Sequence, residues 1–227
     1  IKAEAIEGKP ESIRLNVSSS DDGVIASVDY QGFYYGYDEN GDTVTYGWHG
    51  MTQKKAPAAF IGSSAQYPFS VDWDTTMLPE QQEIAVRAVV HFKNHPELTY
   101  DTPVIGGLFA NKPKGIKVAL YPSRDLPAPF LSRANQKKAC TIEMDVEPAR
   151  IKQAELHVVI RNSDAGKSQA TFTINGQAIP VLENTESEVR YRKIPLDPTI
   201  LKRGVNRIEI LSDTDHHGLE VMLPGPA

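Results

Sequence analysis

Val24-Ile25-Ala26-Ser27-Val28-Asp29-Tyr30 and Ile84-Ala85-Val86-Arg87-Ala88-Val89-Val90 decide the fold class of this chain. In both stretches apolar side chains return at every second position, the period that lines one face of a strand and leaves the other to solvent. The same period recurs in Ile13-Arg14-Leu15-Asn16-Val17 and Phe69-Ser70-Val71-Asp72-Trp73. In the second half it returns in Cys140-Thr141-Ile142-Glu143-Met144 and over 154–160, 170–174 and 207–210. Turn signals separate these runs: Asp21-Asp22-Gly23, Asn40-Gly41, Asp164-Ala165-Gly166 and Asn175-Gly176. One short helix is expected over 199–203, capped by Asp197, with Pro198 in its first turn and Gly204 at its end. Many strands, frequent turns and almost no helix predict an all-β protein of two β-sandwich domains.

The division is expected near 112. Residues 1–112 hold 8 Lys and Arg against 15 Asp and Glu, a balance of −7; the rest hold 16 against 14, a balance of +2. Asn111-Lys112-Pro113-Lys114-Gly115 sits at that break and reads as a linker between domains 1–112 and 113–227. Neither half is basic enough for a nucleic-acid partner. No apolar run approaches the roughly 20 residues of a membrane span. The single cysteine, Cys140, excludes an internal disulfide and any multi-cysteine metal site, and reads as a core residue. The chain opens on Ile1 rather than Met, which reads as a processed protein or a piece of a longer one.

Domain 1–112 resembles the bacterial immunoglobulin-like domains attached to secreted polysaccharide-degrading and surface proteins. The resemblance rests on 22–30, on Tyr67-Pro68-Phe69-Ser70-Val71-Asp72-Trp73-Asp74-Thr75, on Leu78-Pro79 and on Ile84-Ala85-Val86-Arg87-Ala88. An insertion over roughly 36–59 departs from it. Domain 113–227 resembles galactose-binding-type jelly rolls found beside catalytic domains of glycosidases and lyases. There the carriers are Ala154-Glu155-Leu156, Phe172-Thr173-Ile174-Asn175-Gly176, Ile194-Pro195-Leu196 and Leu201-Lys202-Arg203-Gly204-Val205-Asn206-Arg207-Ile208. Together these imply a secreted or periplasmic protein, with a polysaccharide or oligosaccharide as partner and a catalytic domain on the same longer chain. Many jelly rolls of this type bind sugars and many only brace their neighbours.

The aromatic residues are concentrated. Tyr30, Phe33, Tyr34, Tyr35, Tyr37, Tyr46 and Trp48 fall within nineteen positions. A flat apolar ring with a polar edge suits stacking on a pyranose, so Tyr35, Tyr37, Tyr46 and Trp48 are candidate carbohydrate contacts. As a strand, 33–37 would place Phe33, Tyr35 and Tyr37 on one face. The bland alternative is aromatic packing inside a hairpin or between domains. In the turn, Asp38, Asn40 and Asp42 have the one-three-five spacing of calcium-loop oxygens. Thr43 stands where such a loop needs Gly and His49 where it needs Glu, so an EF-hand is excluded. A partial calcium loop and an ordinary Asn-Gly hairpin remain.

Around Tyr191, Arg190 and Arg192 would share one strand face, able to hold carboxylate or sulfate groups of a glycan, with Tyr191 toward the core. His91 and His95 align only on a helix, whereas the residues before them read as a strand. Asp215 and His217 could share a face in a polar connection. Asp72 and Asp74 flank Trp73 as outward or turn-capping groups rather than as a glycosidase pair. No nucleophile, phosphate-loop or metalloprotease signature is present, so no catalytic residue is assigned. The leading expectation is a non-catalytic carbohydrate-binding accessory module. The alternatives are a structural scaffold between domains, and a small lyase or hydrolase using Tyr and His as acid and base.

Overall fold

The structure is a computed structural model that describes residues 1–9, 11–37, 61–134, 136–162, 171–181, 189–212, 214–215 and 218–227. It is an all-β, sandwich-type fold. The described residues form two compact units, Ile1–Gly36 with 61–120, and Tyr37 with Tyr121–Ala227.

The first unit contains β1 (Lys2–Lys9), β2 (Ser12–Ser18), β3 (Ile25–Phe33), β4 (Gly62–Ser64), β5 (Val71–Asp74), β6 (Gln81–Phe92), β7 (Thr99–Asp101) and β8 (Ile105–Ala110). One sheet runs β1-β2-β5. The other runs β4-β3-β6, with β7 paired to one half of β6 and β8 to the other. All these pairings are antiparallel. The period-two residues meet between the sheets: Ile13, Leu15 and Val17 of β2 and Trp73 of β5 pack with Val28 and Tyr30 of β3 and Ile84, Val86, Ala88 and Val90 of β6. The Tyr30 hydroxyl donates to the Phe69 carbonyl at 2.5 Å, and burial pushes its pKa up. Lys112, in the expected linker, donates through Nζ to the Thr75 and Thr76 carbonyls of this unit.

The second unit contains β9 (Leu131–Ser132), β10 (Lys138–Met144), β11 (Ala154–Asn162), β12 (Phe172–Ile174), β13 (Gln177–Ala178), β14 (Val189–Leu196), β15 (Gly204–Ile210) and β16 (Leu219–Val221). Its sheets run β10-β15-β12-β13 and β14-β11-β16-β9. Between them lie Cys140, Ile142, Leu156, Val158, Ile160, Phe172, Ile208, Ile210, Leu219 and Val221. Asn175 and Gly176 take φ of 51° and 83°, the left-handed pair that a two-residue hairpin between β12 and β13 needs.

The expected helix over 199–203 is instead a single 3-10 turn, Pro198–Ile200. Its cap is as expected, the Asp197 carboxylate accepting from the Thr199 N–H at 2.9 Å. The turn stops because buried Asn206 takes both backbone groups of Lys202: Oδ1 accepts its N–H and Nδ2 donates to its C=O, each at 2.8 Å. A continuing helix needs those groups for itself.

Candidate functional site

Phe33-Tyr34-Tyr35-Gly36-Tyr37 is not one strand. β3 ends at Phe33, and the following residues bend. Tyr34 turns inward, its ring 5.0 Å from that of Trp73. A Cβ at Gly32 would lie 2.6 Å from the Tyr34 ring and one at Gly36 2.7 Å, so two glycines make the space for this tuck. With Tyr34 inside, its neighbours are turned out: Phe33 is 83% exposed and Tyr35 61%. Tyr35 is nonetheless fixed. Its N–H donates to Gln81 Oε1 and its C=O accepts from Gln81 Nε2, both at 2.7 Å.

Phe33 closes a row on the outer face of the β4-β3-β6-β7 sheet. Val28 and Tyr30 of β3 point into the core, so Asp29, Gln31 and Phe33 point out. The register sets Gln31 opposite Arg87 and Phe33 opposite Ala85. Arg87 Nε donates to Gln31 Oε1 at 2.8 Å, and its Nη1 lies 3.1 Å from Asp101 Oδ2 on β7. One step along, Asp29 accepts from Ser63 Oγ at 2.5 Å, and its other oxygen meets His91 Nε2 at 2.8 Å. Planar polar groups are thus held in place by one another beside an exposed ring. Gln31 Nε2, Arg87 Nη2 and Asp101 Oδ1 keep donor and acceptor capacity for a ligand.

Tyr37 belongs to the second unit and is 9% exposed. Its ring stacks on Tyr191 with centroids 5.8 Å apart and lies 5.5 Å from His157. Its hydroxyl accepts from the Val159 N–H at 3.1 Å and donates to the Gly225 carbonyl at 2.9 Å. Beneath it, His157 Nδ1 is 2.6 Å from the Tyr191 hydroxyl, and Nε2 is 3.6 Å from Glu155 Oε2. Lys193 Nζ is 3.4 Å from the same oxygen. Burial first, and the Lys193 charge second, lower the His157 pKa to about 4, so the ring is neutral near pH 7. The direction of the Nδ1–Tyr191 hydrogen bond follows the tautomer of the neutral ring. Further along the same sheet face, Glu220 of β16 pairs in register with Arg161 of β11. Its burial raises its pKa to about 7 against the opposing charges of Arg161 and Arg133.

The orientation expected for β14 is inverted. Arg190 and Arg192 stand opposite Ile160 and Val158, whose side chains are in the core, and Tyr191 shares the other face with His157. β14 ends the sheet order, and inward-leaning charges are a device of edge strands. Tyr46, Trp48, Asp38, Asn40, Asp42 and His217 lie outside the described residues. Among the described residues no group of three or more His, Cys, Asp or Glu could hold a metal ion, and no helix is long and apolar enough to cross a membrane.

The outer row of the first unit was missing from the sequence-based candidates. The signal for it is the polar half of the β3 alternation, Asp29 and Gln31 leading to Phe33, set against Arg87 and His91 of β6. Nothing short of the register pairs them.

No protein-family model and no curated protein matches the chain. Among solved structures it is similar to BuGH86wt in complex with neoagarooctaose, at 13% identity and a TM-score of 0.35, covering 96% of this chain and 32% of that one. It is similar to a beta-porphyranase of glycoside hydrolase family 86 from the human gut bacterium Bacteroides plebeius, at 14% identity and a TM-score of 0.33, covering 97% and 36%. A third is native alpha-L-rhamnosidase from Aspergillus terreus, at 13% and 0.29, covering 94% and 23%. The chain spans about a third or less of the length of these proteins. At such identities and TM-scores the likeness assigns no activity to this chain.

Proposed function

We propose that this chain is a non-catalytic carbohydrate-binding accessory module of a secreted polysaccharide-active protein, with its glycan platform on the outer face of the β4-β3-β6-β7 sheet. The observation that carries this reading is Phe33, 83% exposed at the end of the ordered row Asp29, Gln31, Arg87 and Asp101. A large exposed ring beside hydrogen-bonding groups already locked in place suits a sugar with an apolar face and a rim of hydroxyls. Tyr35, exposed and held at its backbone by Gln81, is proposed as a second aromatic contact. Tyr46 and Trp48 are proposed as carbohydrate contacts on the chemistry of their side chains alone.

Tyr37 is proposed as a clamp within the second unit rather than as a platform, since its ring and hydroxyl are both committed there. That clamp favours a bracing role for the second unit, the scaffold reading confined to one half of the chain. The His157–Tyr191 pair is the tyrosine–histidine couple that a small lyase would use, but the Tyr37 ring stacks on it.

The test is affinity electrophoresis of the native chain, Phe33→Ala and Tyr35→Ala against a polysaccharide panel. Removing a central aromatic anchor is expected to weaken binding roughly tenfold, about 1.4 kcal/mol. Retardation of the native chain by a glycan that Phe33→Ala relieves supports the platform. A native chain that no glycan retards overturns the reading.

A further inference from the structure

We infer, resting on that reading, that the sheet-face platform takes an uncharged polysaccharide and turns away sulfated or uronate chains. The row that ends at Phe33 carries two carboxylates, Asp29 and Asp101, against one guanidinium, Arg87, with His91 on Asp29. Arg87 is the cation a sulfate or uronate would seek, and it is already engaged twice, at 2.8 Å by Gln31 and at 3.1 Å by Asp101. An arriving anion must displace Asp101 or lie beside it, and like charges in contact repel. The next cation on this strand line, Lys93, follows the end of β6 and is six residues from Arg87. That is about 20 Å of strand, beyond the screening length of physiological salt. A hydroxyl-rich neutral chain meets no such penalty. It can accept from Gln31 Nε2 and Arg87 Nη2 and donate to Asp101 Oδ1, while its apolar face lies on Phe33.

Charge selectivity is read by running the native chain, Asp101→Asn and Phe33→Ala at pH 8 in gels holding agarose or galactomannan as neutral probes, and carrageenan or alginate as acidic ones. The native chain is expected to be retarded by a neutral probe only, through Phe33. Asp101→Asn, its fold checked by far-UV circular dichroism, gains affinity for the acidic probes relative to the neutral one. The gain is about fivefold at low ionic strength, the effect of removing one contact charge in water, and salt abolishes it. Native binding to carrageenan or alginate as strong as to the neutral probes, still relieved by Phe33→Ala, overturns the selectivity and leaves the platform standing. Asp101→Asn without any gain for the acidic probes also overturns it. Binding that Phe33→Ala does not touch overturns the platform itself.

Discussion

Tyr37→Phe isolates the clamp of the second unit, because it deletes one oxygen and keeps the ring. In the native fold that oxygen accepts from the Val159 N–H at 3.1 Å and donates to the Gly225 carbonyl at 2.9 Å, at a residue 9% exposed. The phenylalanine ring keeps the stack on Tyr191 and the contact with His157. What is lost is a partner for one backbone donor and one backbone acceptor that water reaches poorly. Each such orphan costs about 1–3 kcal/mol, so the substitution is expected to destabilise by about 2–4 kcal/mol. For a unit of roughly this size 1 kcal/mol moves Tm by about 4 °C, giving a fall of about 10 °C. Differential scanning calorimetry reads it as a shift of one transition, that of the second unit. Hydrogen exchange reads it again, as faster exchange at the Val159 amide. Tyr37→Phe unfolding within a degree of the native chain, with Val159 still protected, would refute the clamp.

Three other perturbations test the packing. Asn206→Leu removes an amide that accepts from Asn175 Nδ2 and the Lys202 N–H and donates to the Lys202 and Gly204 carbonyls; urea unfolding is expected to show a loss of about 3 kcal/mol or more. Gly32→Ala sets a methyl 2.6 Å from the Tyr34 ring and drives it off Trp73, which near-UV circular dichroism and an early transition of the first unit, about 1–3 kcal/mol weaker, should report. The pH dependence of stability has two opposed parts. His157, lowered from 6.5 to about 4, contributes stability that is complete above 6.5 and is lost as pH falls toward 4. Glu220, raised from 4.5 to about 7, contributes stability that is complete below 4.5 and is lost as pH rises through 7. The two windows overlap and oppose between pH 4.5 and 6.5, so native urea midpoints should be nearly flat there. His157→Gln should uncover a fall as pH rises toward 7, and Glu220→Gln a rise between pH 4 and 6.5.

Strands with period-two alternation were legible residue by residue, because burial of one sheet face writes itself into every second position; β2, β6 and β15 are examples. The Asn175-Gly176 hairpin was legible for a different reason, since few residue pairs accept two positive φ values. What stayed hidden depends on partners distant in sequence. The 199–203 segment has a good cap and a poor helix because Asn206, farther along the chain, competes for Lys202. Arg190-Tyr191-Arg192 alternates equally well in either orientation, and only pairing with β11 decides which residue faces the core. In the aromatic run, local composition announced a cluster but not its dispersal. Tyr34 goes to the core of the first unit, Tyr37 to the second, and Phe33 and Tyr35 to solvent, a division set by Gly32, Gly36 and Gln81.

The most direct test of the glycan platform is a two-dimensional amide NMR titration of the native chain with the polysaccharide fragment that retards it. Shift changes concentrated at Gln31, Phe33, Tyr35, Arg87 and Asp101 are the predicted result. Changes confined to the second unit, with these amides unmoved at saturation, would contradict the account.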